Sequence, residues 1–192
     1  MKTLTIDLNQ LREKHKPYAG GKAWALAALL DCNFPVPEGL CILTDAYRYF
    51  LDTTPIAEQI RLELARKDFK QMRWEEIWDT SLRIRTFFNR TPIPDELENR
   101  MVEKIRKKFG NTPVAVRSSG IGEDSGELSF AGLHESVLNV AGTEAIIKTI
   151  KTIWASLWSD AALLYRQELG LEVETSAMAV LVQRFIPGTY SG

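Results

Sequence analysis

The sequence predicts an α+β chain in which a helical stretch interrupts a strand-rich frame. Three observations carry this. Short apolar runs bounded by Gly or Pro open and close the chain. Between them, residues 45–110 repeat apolar side chains at helical spacing. Residues 114–140 then read as two strand-like runs around a glycine- and serine-rich loop. The expected division is therefore residues 1–44 and 111–192 as α/β parts and 45–110 as a helical part, all within one unit spanning 1–192.

The elements follow in order. A short strand-like opening leads to Gly20-Gly21 and a helix over about residues 22–30, which Asn33 and Pro35 stop. Residues 39–43 read as a buried strand. Thr44 or Asp45 is expected to cap the next helix. Residues 74–88 form another. Pro94 opens a third, with Asp95 and Glu96 in its first turn and Lys104, Arg106, Lys107 and Lys108 near its end, charges that suit the helix dipole. Gly110 stops it. Two strands follow from Thr112, then helices over about 143–170, then a final strand over 177–185.

Composition bounds the function classes. A chain of 192 residues with 45% hydrophobic content can bury a real core. With 24 basic and 25 acidic residues the net charge is −1, which offers no electrostatic footprint for nucleic acid or an anionic membrane. Neither partner is expected. Cys32 and Cys41 make no disulfide framework or metal quartet, and both are expected to be buried thiols. The N-terminus lacks an apolar signal core and no run is long enough to span a bilayer, so the cytoplasm is the expected location.

The chemistry concentrates in V-A-V-R-S-S-G-I-G-E-D-S-G-E-L-S-F-A-G-L-H-E-S-V-L-N-V, residues 114–140. A strand delivers Arg117 to a loop holding Ser118, Ser119, Gly120, Gly122, Ser125, Gly126 and Ser129. Small residues let backbone N–H groups approach an anion, hydroxyls add donors, and the guanidinium offers a bidentate fork to phosphate. This is a phosphate cradle in the making, though not the G-x-x-x-x-G-K-S/T loop. A mobile loop over residues 118–132 is expected without nucleotide.

At these residues the chain resembles the N-terminal ATP-binding part of the phosphoenolpyruvate synthase and pyruvate phosphate dikinase family, whose relatives include rifampin phosphotransferase. Arg117, Ser118, Ser119, Glu123, Asp124, Ser129, Phe130, Ala131, Gly132, Glu135, Ser136, Leu138, Asn139 and Val140 match the family pattern. Gly20-Gly21-Lys22, Val36-Pro37-Glu38-Gly39 and Thr44-Asp45-Ala46-Tyr47 resemble its N-terminal blocks. Ala155-Ser156-Leu157-Trp158-Ser159-Asp160, Tyr165-Arg166, Val182-Gln183 and Ser191-Gly192 resemble its later ones.

The resemblance implies the first part of an ATP-grasp-like nucleotide-binding domain in two lobes, with ATP and Mg²⁺ as cofactors. It implies Lys22 and Arg117 as catalytic residues on the ATP phosphates. From spacing alone, Lys22 is more simply a solvated lysine, and Arg117 could be a surface ion-pair residue. Ser118, Ser119 and Gly132 would complete the cradle. Ser136 contacts a phosphate or is a solvated strand hydroxyl. Glu123 and Asp124 hold Mg²⁺ or are turn acids. Gln183 to Ile186 form the adenine hinge or an ordinary core strand.

Neither His134 nor His15 is expected to be the phosphoryl-accepting histidine, which in the family lies on a separate domain. The tryptophans, including Trp154 and Trp158, are expected in the core. The resemblance also implies that a second ATP-grasp lobe, the histidine domain and the acceptor domain lie beyond Gly192, so this portion alone should bind Mg-ATP weakly and turn over none. The expected parent is a dikinase that passes a phosphoryl group from ATP through its own histidine to pyruvate. The alternatives are an antibiotic phosphotransferase using the same ATP head, or a non-catalytic nucleotide-sensing module. Gly120-Ile121-Gly122, Ser125-Gly126-Glu127 and Ala161 depart from the family's usual residues and leave the acceptor open.

Overall fold

The computed structural model describes residues 3–120, 135–171, 173 and 176–188. Five strands make one sheet, each pairing antiparallel with its neighbour. They are β1 (Thr5–Asp7), β2 (Gly39–Ile42), β3 (Val114–Gly120), β4 (Ser136–Val140) and β5 (Met178–Arg184), in the order β1-β2-β5-β3-β4. The α+β expectation holds to this level.

Seven helices cover the sheet: α1 (Lys16–Asp31), α2 (Thr44–Asp52), α3 (Ile56–Leu64), α4 (Trp74–Arg90), α5 (Asp95–Phe109), α6 (Thr143–Ser156) and α7 (Asp160–Glu168). Strand alternation splits the core in two. Leu40, Ile42, Val114, Val116, Val140, Met178, Val180 and Val182 face the larger cluster, packed under α2 to α7. Cys41, Ala179 and Leu181 face the smaller one, under α1. The large core is aromatic at its centre. The rings of Tyr47, Phe50, Phe88 and Trp154 meet at centroid distances of 5.6–6.1 Å, in stacked and edge-on pairs.

The helix of α1 differs from expectation. It begins at Lys16 with Pro17 in its first turn, then breaks at Gly20, whose φ of 74° and ψ of 165° are non-helical. Gly21 onward is the predicted helix. Ala19, Ala23 and Ala27, four residues apart, are all buried and let α1 lie close on the sheet.

Several other expectations are corrected. Helix α2 starts at Thr44 itself, Leu43 holds the cap position, and the buried Thr44 hydroxyl has no hydrogen-bond partner. Helix α3 was not foreseen as an element of its own. Cys32 is exposed just after α1, whereas Cys41 in β2 is buried. Trp154 and Trp158 are buried as expected, but Trp74 and Trp78 stand exposed on the outer face of α4. No described helix is long and apolar enough to cross a membrane.

Candidate nucleotide-binding site

Strand β3 runs three residues further than the sequence suggests. Ser118, Ser119 and Gly120 are not loop residues. They pair with Val180, Ala179 and Met178 of β5. Alternation then sends the two serine side chains to opposite faces. Ser118 lies on the large-core side, 1% exposed, and its hydroxyl has no hydrogen-bond partner among the described residues. Ser119 lies on the α1 side with no exposed surface.

Ser119 meets the break in α1. Its hydroxyl donates to the Ala19 carbonyl at 2.8 Å and accepts the Ala23 N–H at 3.1 Å. With its single proton already given to Ala19, the hydroxyl has none left for a phosphate oxygen. The sequence reading made Ser119 a phosphate ligand; in this structure its hydroxyl bonds within the protein. Gly20 is required at this contact. A Cβ there would sit 2.0 Å from the Ser119 carbonyl oxygen, and the backbone angles are those that only glycine adopts readily. The sequence reading valued the glycines for ligand approach, yet Gly20 makes room for the protein's own strand.

Lys22 is the second residue of the helix segment that starts after the break, and it is half-buried. Arg117 shares the α1-side face with Ser119, two residues back along β3, which is about 7 Å by strand rise. It is exposed, directly opposite Ser136 on β4 and Leu181 on β5. Ser136 is exposed as well. The strand after it carries one extra residue between the Val116–Val137 and Val114–Val140 pairs, with Asn139 at φ 58°. That bulge returns Val140 to the core while leaving Ser136 on the same face as Arg117.

The far end of the sheet behaves differently. Gln183 is buried in β5, paired with both Gly39 and Ala115, and its side-chain amide donates to the Pro37 carbonyl at 3.1 Å. The Arg184 N–H goes to Glu38 and the Phe185 N–H to Pro113. The backbone donors expected to read a base edge between Gln183 and Ile186 are thus spent within the protein up to Phe185. Ile186, just past the strand, is 62% exposed. Gln183 is a core strand residue here.

The motif residues quoted from α2, α6 and α7 serve another purpose. Trp158 Nε1 donates to the Tyr47 hydroxyl at 2.9 Å, and Arg166 Nη1 donates to the Leu157 carbonyl at 2.6 Å. Both Trp158 and Arg166 are almost fully buried. Burial pulls the guanidinium of Arg166 down to about 10, with Tyr47 as the opposing influence, and pushes the Tyr47 phenol up. Three blocks of sequence that look like a functional signature meet as a buried polar junction. Spacing gave no sign of it, because Tyr47 in α2 lies more than a hundred positions from Trp158 and Arg166.

Gly132, Glu123, Asp124, His134 and the rest of the glycine-rich loop lie outside the described residues, as do Ser191 and Gly192. Among the described residues no three acidic, histidine or cysteine side chains come together to hold a metal ion. The nucleotide fits better. A half-buried ammonium near a helix start and an exposed guanidinium on the adjoining strand supply the cationic donors a polyphosphate needs.

Residues 16–192 match the model of the pyruvate phosphate dikinase AMP/ATP-binding domain. The phosphoenolpyruvate synthase of Aeropyrum pernix is 39% identical over 98% of this chain and 24% of its own length. A probable phosphoenolpyruvate synthase of Staphylothermus marinus is 32% identical over 100% of the chain and 24% of its own length. A rifampicin phosphotransferase of Streptomyces sviceus is 34% identical over 94% of the chain and 21% of its own length. The chain spans about a quarter of the length of these relatives.

Proposed function

We propose, from the premise that this chain belongs to the pyruvate phosphate dikinase AMP/ATP-binding domain family, that it is the ATP-binding head of a phosphoenolpyruvate synthase-like dikinase. One observation carries the reading. The helix start that bears Lys22 and the strand that bears Arg117 are joined on one face of the sheet, through Ser119.

In this reading Lys22 acts as a point charge on the ATP phosphates, in ground and transition states alike. Arg117 forks onto the transferring phosphoryl group and gains strength as charge develops there. Ser136, opposite Arg117, adds a hydroxyl donor. Ile186 covers the base, at the far end of the same sheet. Gly132 belongs to the cradle. The fold would be the first lobe of an ATP-grasp-like domain. Mg²⁺, when bound, would offset phosphate charge. The phosphoryl group would pass to a histidine on another domain and then to pyruvate.

A second reading rests on the likeness to rifampicin phosphotransferases, in which the same head would serve a different acceptor. Labelled ATP and labelled phosphoenolpyruvate separate these in the longer enzyme that this chain is proposed to head. The synthase reading expects label from both on the enzyme's histidine, and exchange between phosphoenolpyruvate and pyruvate. No label from either would overturn it. Label from ATP without exchange would support the second reading.

A further inference from the structure

An unbroken helix would pair the Ala23 N–H with the Ala19 carbonyl, four residues back. Here Ser119 of β3 sits between them, taking the N–H at 3.1 Å and giving its proton to the carbonyl at 2.8 Å. A side chain inserted into the ladder in this way is a recognised cause of a sharp helix break. The break falls at Gly20. At the start of the new segment Gly20 stands in the cap position, Lys22 is the second helical residue and Ala23 the third. The cap position normally supplies an oxygen to the third N–H. Glycine has no side chain to do so, and no other residue fits against the Ser119 carbonyl. The missing cap oxygen arrives from the neighbouring strand instead.

We propose that Ser119 is a positioning residue for nucleotide binding: its hydroxyl splits α1, caps the new segment from outside, and so sets Lys22 in a fixed frame with Arg117. The inference rests on the functional reading above, and it concerns how that site is held rather than what it binds. Two residues along the same strand face from Arg117, Ser119 couples the helix start to the strand through one oxygen. Loss of that oxygen leaves two buried backbone groups unpaired, or lets residues 19–23 close into a continuous turn. Either outcome moves Lys22 relative to Arg117, without touching a group that contacts the phosphates.

The test is a double-mutant cycle on the 192-residue chain, with ATP affinity read from NMR shift titration. Ser119→Ala is expected to weaken ATP about tenfold, the equivalent of one lost helix cap. Ser119→Cys keeps the side chain's bulk but is a poor donor and acceptor, so it should behave like the alanine variant. It also keeps the test alive should the alanine variant fold poorly. In a Lys22→Ala background, either change at Ser119 should alter affinity less than about twofold, because the residue it positions is gone. Exchange of the Ala23 amide should accelerate in both Ser119 variants.

Equal losses in both backgrounds would overturn the positioning role alone. So would full ATP affinity in Ser119→Cys, since packing would then suffice. Unchanged affinity in Lys22→Ala itself would overturn the functional reading, and this role with it.

Discussion

The two faces of the sheet are built on opposite principles. The face under α2 to α7 is large and aromatic, with a polar junction buried at one side. Trp154 and Phe50 are completely buried, and the Trp154 indole N–H has no hydrogen-bond partner among the described residues. The face under α1 is thin and made of small residues. It tolerates a broken helix, a serine hydrogen-bonded into that break and an exposed arginine. The first face stores stability. The second spends little on packing and so can hold backbone and charges at fixed, non-ideal positions. The proposed phosphate site lies on the second, where small side chains let a helix start approach the strand.

The contrast can be broken most easily on the large face. Trp154→Ala should cost about 3–5 kcal/mol, the range for removing a buried aromatic. Urea unfolding should show this in full. Any ATP affinity that survives in the folded fraction should be unchanged. A loss below about 1 kcal/mol would mean that the aromatic cluster is not the store of stability.

On the α1 face the largest effect should be catalytic. In the longer enzyme, Arg117→Ala should slow phosphorylation of the enzyme's histidine by ATP about 10²–10³-fold, as for other donors to developing charge. Because Arg117 is exposed, thermal unfolding should hardly move. A variant that unfolds early but keeps its rate would reverse the assignment.

Gly20→Ala should fall between these. The backbone conformation alone costs a non-glycine residue about 1–3 kcal/mol, and the contact with the Ser119 carbonyl adds to it. Both stability and ATP affinity should drop, unlike either variant above. Loss of stability with ATP affinity intact would detach the helix break from the site.

Alkaline pH sharpens the comparison further. Burial on the α1 face pushes the Cys41 thiol up to about 12, so the folded protein keeps a proton that the unfolded chain gives up. A raised folded-state pKa means that stability is complete below the unfolded thiol value, about 8.5, and falls as pH rises above it. The slope should approach about 1.4 kcal/mol per pH unit by pH 10. Tyr47 joins with the same sign above about 10, while Arg166 opposes, so denaturation between pH 8 and 10 isolates the thiol. Cys41→Ala should flatten that decline.

The smallest effect belongs to neither face. Glu58 and Arg61 pair on the solvent side of α3 at 2.6 Å, both well exposed. Glu58→Ala should leave the urea midpoint of unfolding and the ATP affinity alone.

What could be read directly was whatever local chemistry decides. Pro94 pre-sets the backbone just before α5 and Gly110 adopts a positive φ just after it, and the ends of that helix fell where they indicate. Helix α3 escaped notice because it is only nine residues long and is separated from α2 by little more than a turn. Arg117 and Lys22 were identifiable as candidates through the motifs that resemble the family, whereas spacing alone left each with a plainer reading as a surface charge. Their neighbourhood was not. Ser118 and Ser119 look alike in sequence, and a strand carried to Gly120 puts one hydroxyl beneath the large core and the other inside a helix. Gln183 reads in sequence as part of an adenine hinge or a core strand, and its amide closes a hydrogen bond to Pro37, more than a hundred positions away. The sequence by itself determined most of the order of elements and where the two candidate cations stand along the chain, because propensity and charge act over a few residues. Which polar groups remain open to a ligand, and which are consumed within the fold, was decided only by tertiary structure. A hydroxyl or amide has few bonds to make, and long-range packing determines where they go.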